Sequence, residues 1–180
     1  MITYKPSSRL GALNEENFTS DPTTRSWTVT GTGYTFTAAG ATVTEDGSAG
    51  AKSVTLELNN TKLQQYISFS LSGNTGHRDL LNMAWELYFD DVKIAERASA
   101  AVGAGQEVKA TFTLFKSTPN KWVQNYLFEY SDTDNRVFST STYTDIDANS
   151  NSVGKIKVYI LVDGNVNNIG DLSLTNLKWV

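Results

Sequence analysis

One histidine, His77, stands in Gly73-Asn74-Thr75-Gly76-His77-Arg78-Asp79, and the 180 residues contain no cysteine. The missing thiol removes cysteine nucleophiles, disulfides, iron–sulfur centres and thiolate zinc sites together. A lone histidine serves as a general base only if a nucleophile or carboxylate converges on it from elsewhere. No G-x-S-x-G, H-E-x-x-H or glycine-rich phosphate loop supplies that partner. His77 is therefore expected as a solvent-facing loop residue. Glycoside hydrolysis would need two carboxylates about 5–9 Å apart across a groove. Glu57, Glu86, Glu107 and Glu129 fall on the outward phase of their segments, where carboxylates ordinarily keep a sheet soluble. The expectation is a non-enzymatic chain.

Two acidic–asparagine clusters offer oxygen ligands. Asp132, Asp134 and Asn135 form one, and Asp145, Asp147, Asn149 and Asn151 the other. Alternating oxygen donors resemble the opening of a calcium loop, although the second cluster lacks its central glycine and closing glutamate. The same residues also cap turns. Calcium at Asp145 and Asp147 is the one metal expectation, and no other cofactor is expected. The aromatic residues carry a different chemistry, stacking on the apolar faces of sugar rings. Trp85 is in phase with Leu87 and Phe89 and belongs to a core. Tyr66, Tyr88, Trp122 and Tyr159 are the candidates for a carbohydrate-stacking surface, against the alternative of ordinary cross-strand packing.

The elements that must position these residues are strands. Val54, Leu56 and Leu58 alternate with Ser53, Thr55 and Glu57. Ile156, Val158, Ile160 and Val162 alternate with Lys155, Lys157, Tyr159 and Leu161. Period-two patterns of this kind mark half-buried strands. Others begin at Trp27, Tyr34, Ala41, Tyr66, Met83, Val108 and Trp122, with Asp46-Gly47 as a hairpin-type turn. Residues 97–106, RASAAVGAGQ, are expected as a connecting loop with at most one helical turn. Residues 131–152 are expected as a long polar interval. In the last segment Leu172 and Leu174 share one parity and Leu177 and Trp179 the other, which predicts a bulge or corner at Thr175-Asn176. Eight to ten strands without a helical period predict an all-β, antiparallel β-sandwich, of jelly-roll type, over residues 25–180. Residues 1–24 lack periodicity and are expected as an extended N-terminal arm, with Tyr4, Leu10, Leu13 and Phe18 as its assembly contacts.

A formal net charge of -4 argues against attraction to a phosphate backbone, so no nucleic-acid partner is expected. No apolar run approaches the about 18 residues that cross a bilayer, and the N-terminus has no signal-peptide pattern. No membrane partner and no export signal are expected.

Three stretches carry a resemblance: Trp27 to Leu58, Gly154-Lys-Ile-Lys-Val-Tyr-Ile-Leu-Val-Asp-Gly164, and Leu172-Ser-Leu-Thr-Asn-Leu-Lys-Trp179. They resemble jelly-roll carbohydrate-binding modules, and equally the β-sandwich accessory domains of tailed-bacteriophage virions. The first resemblance implies sugar recognition, often with structural calcium, and an extracellular setting. The second implies a virion structural protein made in the host cytoplasm, a capsid decoration or tail-associated subunit. Such a subunit would be oligomeric or lattice-bound and held by other virion proteins through its arm. The virion reading is the main expectation, and a carbohydrate-binding or host-adhesion domain is the alternative.

Overall fold

The computed structural model describes residues 13–48, 50–63, 66–75, 81–102, 107–118, 121–130, 137–144, 153–164 and 169–180. Among them are thirteen strands: β1 (Asn14–Glu16), β2 (Trp27–Thr32), β3 (Tyr34–Thr37), β4 (Gly40–Asp46), β5 (Lys52–Thr61), β6 (Tyr66–Thr75), β7 (Leu81–Phe89), β8 (Val92–Val102), β9 (Glu107–Thr118), β10 (Lys121–Tyr130), β11 (Val137–Thr144), β12 (Gly154–Gly164) and β13 (Ile169–Trp179). A 3-10 turn covers Pro22–Arg25. An eight-stranded sheet runs β11-β10-β9-β6-β13-β4-β3, with β1 added beside β13, and a five-stranded sheet runs β2-β5-β12-β7-β8. All pairings are antiparallel, and the chain passes repeatedly from one sheet to the other. The result is a jelly-roll-like β-sandwich with an N-terminal extension.

The alternation predicted for the central strands fixes which residues meet between the sheets. Val54, Leu56, Leu87, Ile156, Val158, Ile160 and Val162 from one sheet face Val43, Ile67, Phe69, Phe112, Leu114, Leu172 and Leu174 from the other, all at most 2% exposed. Phe69, Trp85 and Phe112 form the aromatic centre, with ring centroids 4.7–5.1 Å apart. Trp27 and Trp179 close one end of the core edge to face. Trp85 is thus a core residue, as its phase indicated.

Local backbone chemistry sets the corners. Asp90 and Asp91 both take positive φ, 53° and 64°, between the paired Phe89 and Val92. That is the twist a two-residue hairpin requires, so the chain turns there. The parity change in β13 is a register shift between Thr175 and Lys178, with Asn176 at φ 54°, and it returns Leu177 and Trp179 to the core. Gly40 starts β4 at φ 110°, where a Cβ would lie 2.1 Å from the Leu174 carbonyl oxygen. Only glycine permits that approach.

Several expectations are corrected. Residues 97–102 continue β8 and pair with β7, from Trp85↔Arg97 to Leu81↔Val102. A run of alanines lacks strand propensity, but an open ladder edge overrides a weak local preference. Residues 137–144 form β11 on the edge of β10; Val137, Phe138, Tyr143 and the threonines favour a strand, although they show no apolar–polar alternation. Asp46-Gly47 does not close a hairpin. It carries the chain from β4 in one sheet to β5 in the other, with the Ser48 N–H donating to Asp46 Oδ1 at 3.0 Å.

The expected arm is also revised from Leu13 onward. β1 pairs with the end of β13, Asn14↔Trp179 to Glu16↔Leu177. Phe18 is fully buried against Trp27, centroids 5.1 Å apart, so in this chain its ring packs into the core and not outward. The Arg25 guanidinium donates to both Glu16 oxygens, Nε to Oε2 at 2.7 Å and Nη2 to Oε1 at 2.9 Å, closing the segment on itself.

Glu45 shares the inward face of β4 with Ala41 and Val43 and is 1% exposed. Its Oε1 accepts one long hydrogen bond from Gly47 N–H, 3.3 Å, and Oε2 has no hydrogen-bond partner. A carboxyl group held from water on these terms forfeits hydration without replacement. Glu45→Met, apolar and of similar length, is expected to raise stability by about 1–3 kcal/mol, read as a higher denaturation midpoint. An unchanged or lower midpoint would contradict it.

Candidate functional site: the outer face of the five-stranded sheet

Register alone assembles a polar platform outside the five-stranded sheet. Tyr159 on β12 lies between Thr55 on β5 and Glu86 on β7, and Glu86 is followed by Glu96 on β8. One step along the strands, Lys157 lies between Glu57 and Tyr88, and Tyr88 is followed by Lys93. The sequence pattern placed these side chains outward; only the strand order β5-β12-β7-β8 makes them neighbours.

The charges interlock across the strands. Lys155 Nζ is 2.7 Å from Asp91 Oδ1 and 3.7 Å from Glu57 Oε1, and Lys157 Nζ is 3.7 Å from Asp91 Oδ1. Lys157 Nζ also sits 4.1 Å from the Tyr88 ring centroid. The Tyr88 hydroxyl donates to Glu86 Oε2, and Lys93 Nζ donates to Glu86 Oε1 at 3.4 Å and Glu96 Oε2 at 2.6 Å. The Glu86 carboxylate at its hydroxyl raises the pKa of Tyr88. The Asp91 hydrogen bond raises that of Lys155, and the same contact lowers that of Asp91. Exposed pairs of this kind contribute about 0–1 kcal/mol each. Their effect is positional: the long side chains lie flat, with Lys155 and Lys157 each 23% exposed.

Such a face can bind a polyhydroxylated ligand. Carboxylates accept from ligand hydroxyls, lysines donate to them, and a half-buried tyrosine ring supplies an apolar plate. One face of Tyr88 is already covered by Lys157, so Tyr159 is the better-placed ring. Glu57 and Glu86 stand on opposite sides of β12, each tied to a lysine. Among the described residues no group of three or more His, Asp or Glu side chains is placed to hold a metal, and no helix is long and apolar enough to cross a membrane.

The four stacking candidates are divided between the sheets. Tyr88 and Tyr159 share the platform. Tyr66 lies on the outer side of the eight-stranded sheet, where its hydroxyl donates to Ser68 Oγ at 2.7 Å, and Trp122 is in β10 of that same sheet. Of the four candidates, only Tyr88 and Tyr159 therefore share the candidate surface. Leu13 is 54% exposed. Tyr4, Leu10, His77, the Asp132–Asn135 cluster, Asp145 and Asp147 lie outside the described residues. Sequence reasoning did not identify Lys157 and Lys155 as site residues. Their signal was the outward lysine pair on the same strand as Tyr159.

No protein-family model matches the chain, and no curated protein matches it in sequence. Its likenesses are to solved structures. The CBM2 module of the evolved Dit of Lactobacillus casei BL23 phage J-1 matches with a TM-score of 0.56 at 7% identity, over 93% of this chain and 96% of that one. Peanut lectin in complex with a nine-residue peptide matches with a TM-score of 0.57 at 11% identity, over 94% and 98%. Griffonia simplicifolia lectin I-B4, in its metal-free form, gives 0.50 at 10% identity, over 91% and 96%. At these identities the likeness is one of fold.

Proposed function

We propose that this chain is a non-enzymatic carbohydrate-recognition domain serving adhesion, with the β5-β12-β7 platform as its binding surface. The observation that carries the reading is the juxtaposition of Tyr159 with Glu86, Glu57 and Lys157 on a face laced by ion pairs. A fold shared along nearly its whole length with a module named as carbohydrate-binding and with lectins supports it, as fold-level analogy. Acidic and basic groups interleave on the platform, which favours a neutral glycan over a polyanion. Tyr159 stacks on the sugar, Glu86 and Glu57 accept its hydroxyls, and Lys157 donates.

A second reading keeps the particle setting. The phage origin of the matched Dit module favours a tail-associated or decoration subunit, for which glycan binding would be host adhesion and Leu13 an outward contact. Calcium at Asp145 and Asp147 belongs to either reading.

A panel of neutral and acidic glycans, screened with calcium and with chelator, tests the main proposal. The intact chain is expected to bind a neutral class, and Tyr159→Ala to weaken that binding about tenfold or more with an unchanged melting temperature. Absence of binding throughout the panel, or a variant that binds as well as the parent, would overturn it.

A further inference from the structure

The N-terminal segment fills a slot whose walls come from distant parts of the chain. β4 pairs with β13 only from Ile169 to Leu174. Beyond the bulge, β1 is the strand that closes the β13 edge from Leu177 to Trp179 among the described residues, through three residue pairs. Beside that edge, Phe18 fills a hole walled by Trp27, itself packed on Trp179, and Trp179 is fixed by its Nε1–H donating to Thr61 Oγ1 at 2.9 Å. The slot is therefore built mainly from β13, β2 and β5.

Returning the chain from β1 to its own β2 is conformationally costly. Phe18 must adopt φ 54°, a left-handed conformation that bulky residues rarely take. The reversal also buries Asn17 Oδ1 with no hydrogen-bond partner. Thr19, Ser20 and Asp21, which link Phe18 to Pro22, are exposed and are held by the peripheral Arg25 bonds to Ser20 Oγ, Ser20 O and Asp21 O at 3.1–3.3 Å.

From these observations we infer that Asn14–Phe18 is an exchangeable strand: it docks in the β13 slot of its own chain or of a second copy, with the same partners. An exchanged chain keeps the β1–β13 ladder, the Phe18 plug and the Glu16–Arg25 pair across the two copies. Asn17 and Phe18 stay docked, the Asn17 carbonyl accepting from Thr175 Oγ1 at 3.1 Å, and the exchange frees the exposed linker 19–21 from folding back. A tether of a few residues gives the intramolecular strand an effective concentration of order mM. Dilute protein is then monomeric, and exchange appears where copies are crowded or held in an array. The inference is independent of glycan binding.

Glu15 and Lys178 are register partners on the outer side of β1 and β13, their charged groups 3.7 Å apart, and the absence of native cysteine makes these positions clean reporters. Glu15→Cys and Lys178→Cys chains, one carrying a tag, are mixed at high concentration, equilibrated and oxidised, and the heterodisulfide is quantified by intact mass. Glu15→Cys mixed with Thr35→Cys, an exposed position on β3, measures random collision. The doubly substituted chain at micromolar concentration is expected to close within one molecule. The disulfide-linked heterodimer of the Glu15→Cys and Lys178→Cys chains is expected about tenfold above the collision control and to rise with concentration. A heterodimer no more abundant than the control, while the double variant closes normally, would overturn exchange. A double variant that fails to close would overturn the slot itself.

Discussion

Phe112→Ala is expected to destabilise the fold by about 3–5 kcal/mol, a large part of the about 5–15 kcal/mol that a domain has. Phe112 is 1% exposed and in ring contact with both Phe69 and Trp85, so its removal opens a cavity where three aromatic rings join the two sheets. All three lie on long central strands whose backbones are pinned by ladders on both sides, which leaves little freedom for collapse. Phe112→Leu, which refills part of the volume, is expected to cost about 1–2 kcal/mol. Val92→Ala, at a side chain 62% exposed, is expected to change stability by less than about 0.5 kcal/mol. Urea denaturation with a constant m-value reads all three. A Phe112→Ala cost no larger than that of Val92→Ala would mean that the sheets do not meet through these rings.

The second large effect lies in the N-terminal clasp. Arg25→Ala is expected to cost about 2–3 kcal/mol at neutral pH, less than a fully buried pair because Arg25 is 40% exposed. Burial by itself raises the pKa of Glu16. The Arg25 hydrogen bonds, the Phe18 N–H donated to Oε1 at 2.8 Å and the Arg25 charge outweigh it, so Glu16 titrates below its ordinary value of 4.5. A carboxyl group whose pKa is lowered on folding stabilises the native state above its ordinary pKa. That contribution is lost as the pH falls through the lowered value. The parent and Arg25→Ala stability curves should therefore lie apart at neutral pH and converge in acid below about 4. Glu16→Gln should flatten the same pH dependence. Parallel curves throughout would exclude the ion pair as the source of the difference.

Much of this molecule was legible from its residues. The alternation through Ile156, Val158, Ile160 and Val162 specified a strand and its buried face, because a period of two allows only one assignment of faces. The phase of Trp85 with Leu87 placed it inside, and the parity change between Leu174 and Leu177 located a bulge. Residues 97–102 were not legible as a strand because their alanines have little strand preference, and 137–144 because their strand-favouring residues carry no alternating apolar face. Each became a strand by pairing with a neighbour whose edge would otherwise have been open.

What local pattern cannot encode is which strand lies beside which. Outward phase was readable for Tyr66, Tyr88 and Tyr159 alike, but only the sheet order separates Tyr66 from the other two and brings Glu57, Lys157 and Glu86 together around β12. Phe18 illustrates the same limit from the other side. Its segment has no periodicity, so it read as an arm, although its ring completes the core. The hydrophobic effect responds to the whole surface that a fold leaves exposed. The hole beside Trp27 exists only after β13, β2 and β5 have come together from distant parts of the chain. Sequence by itself determined the alternating central strands and their faces; tertiary structure added the edge strands β1 and β11 and decided which strands are neighbours, and with them the candidate site.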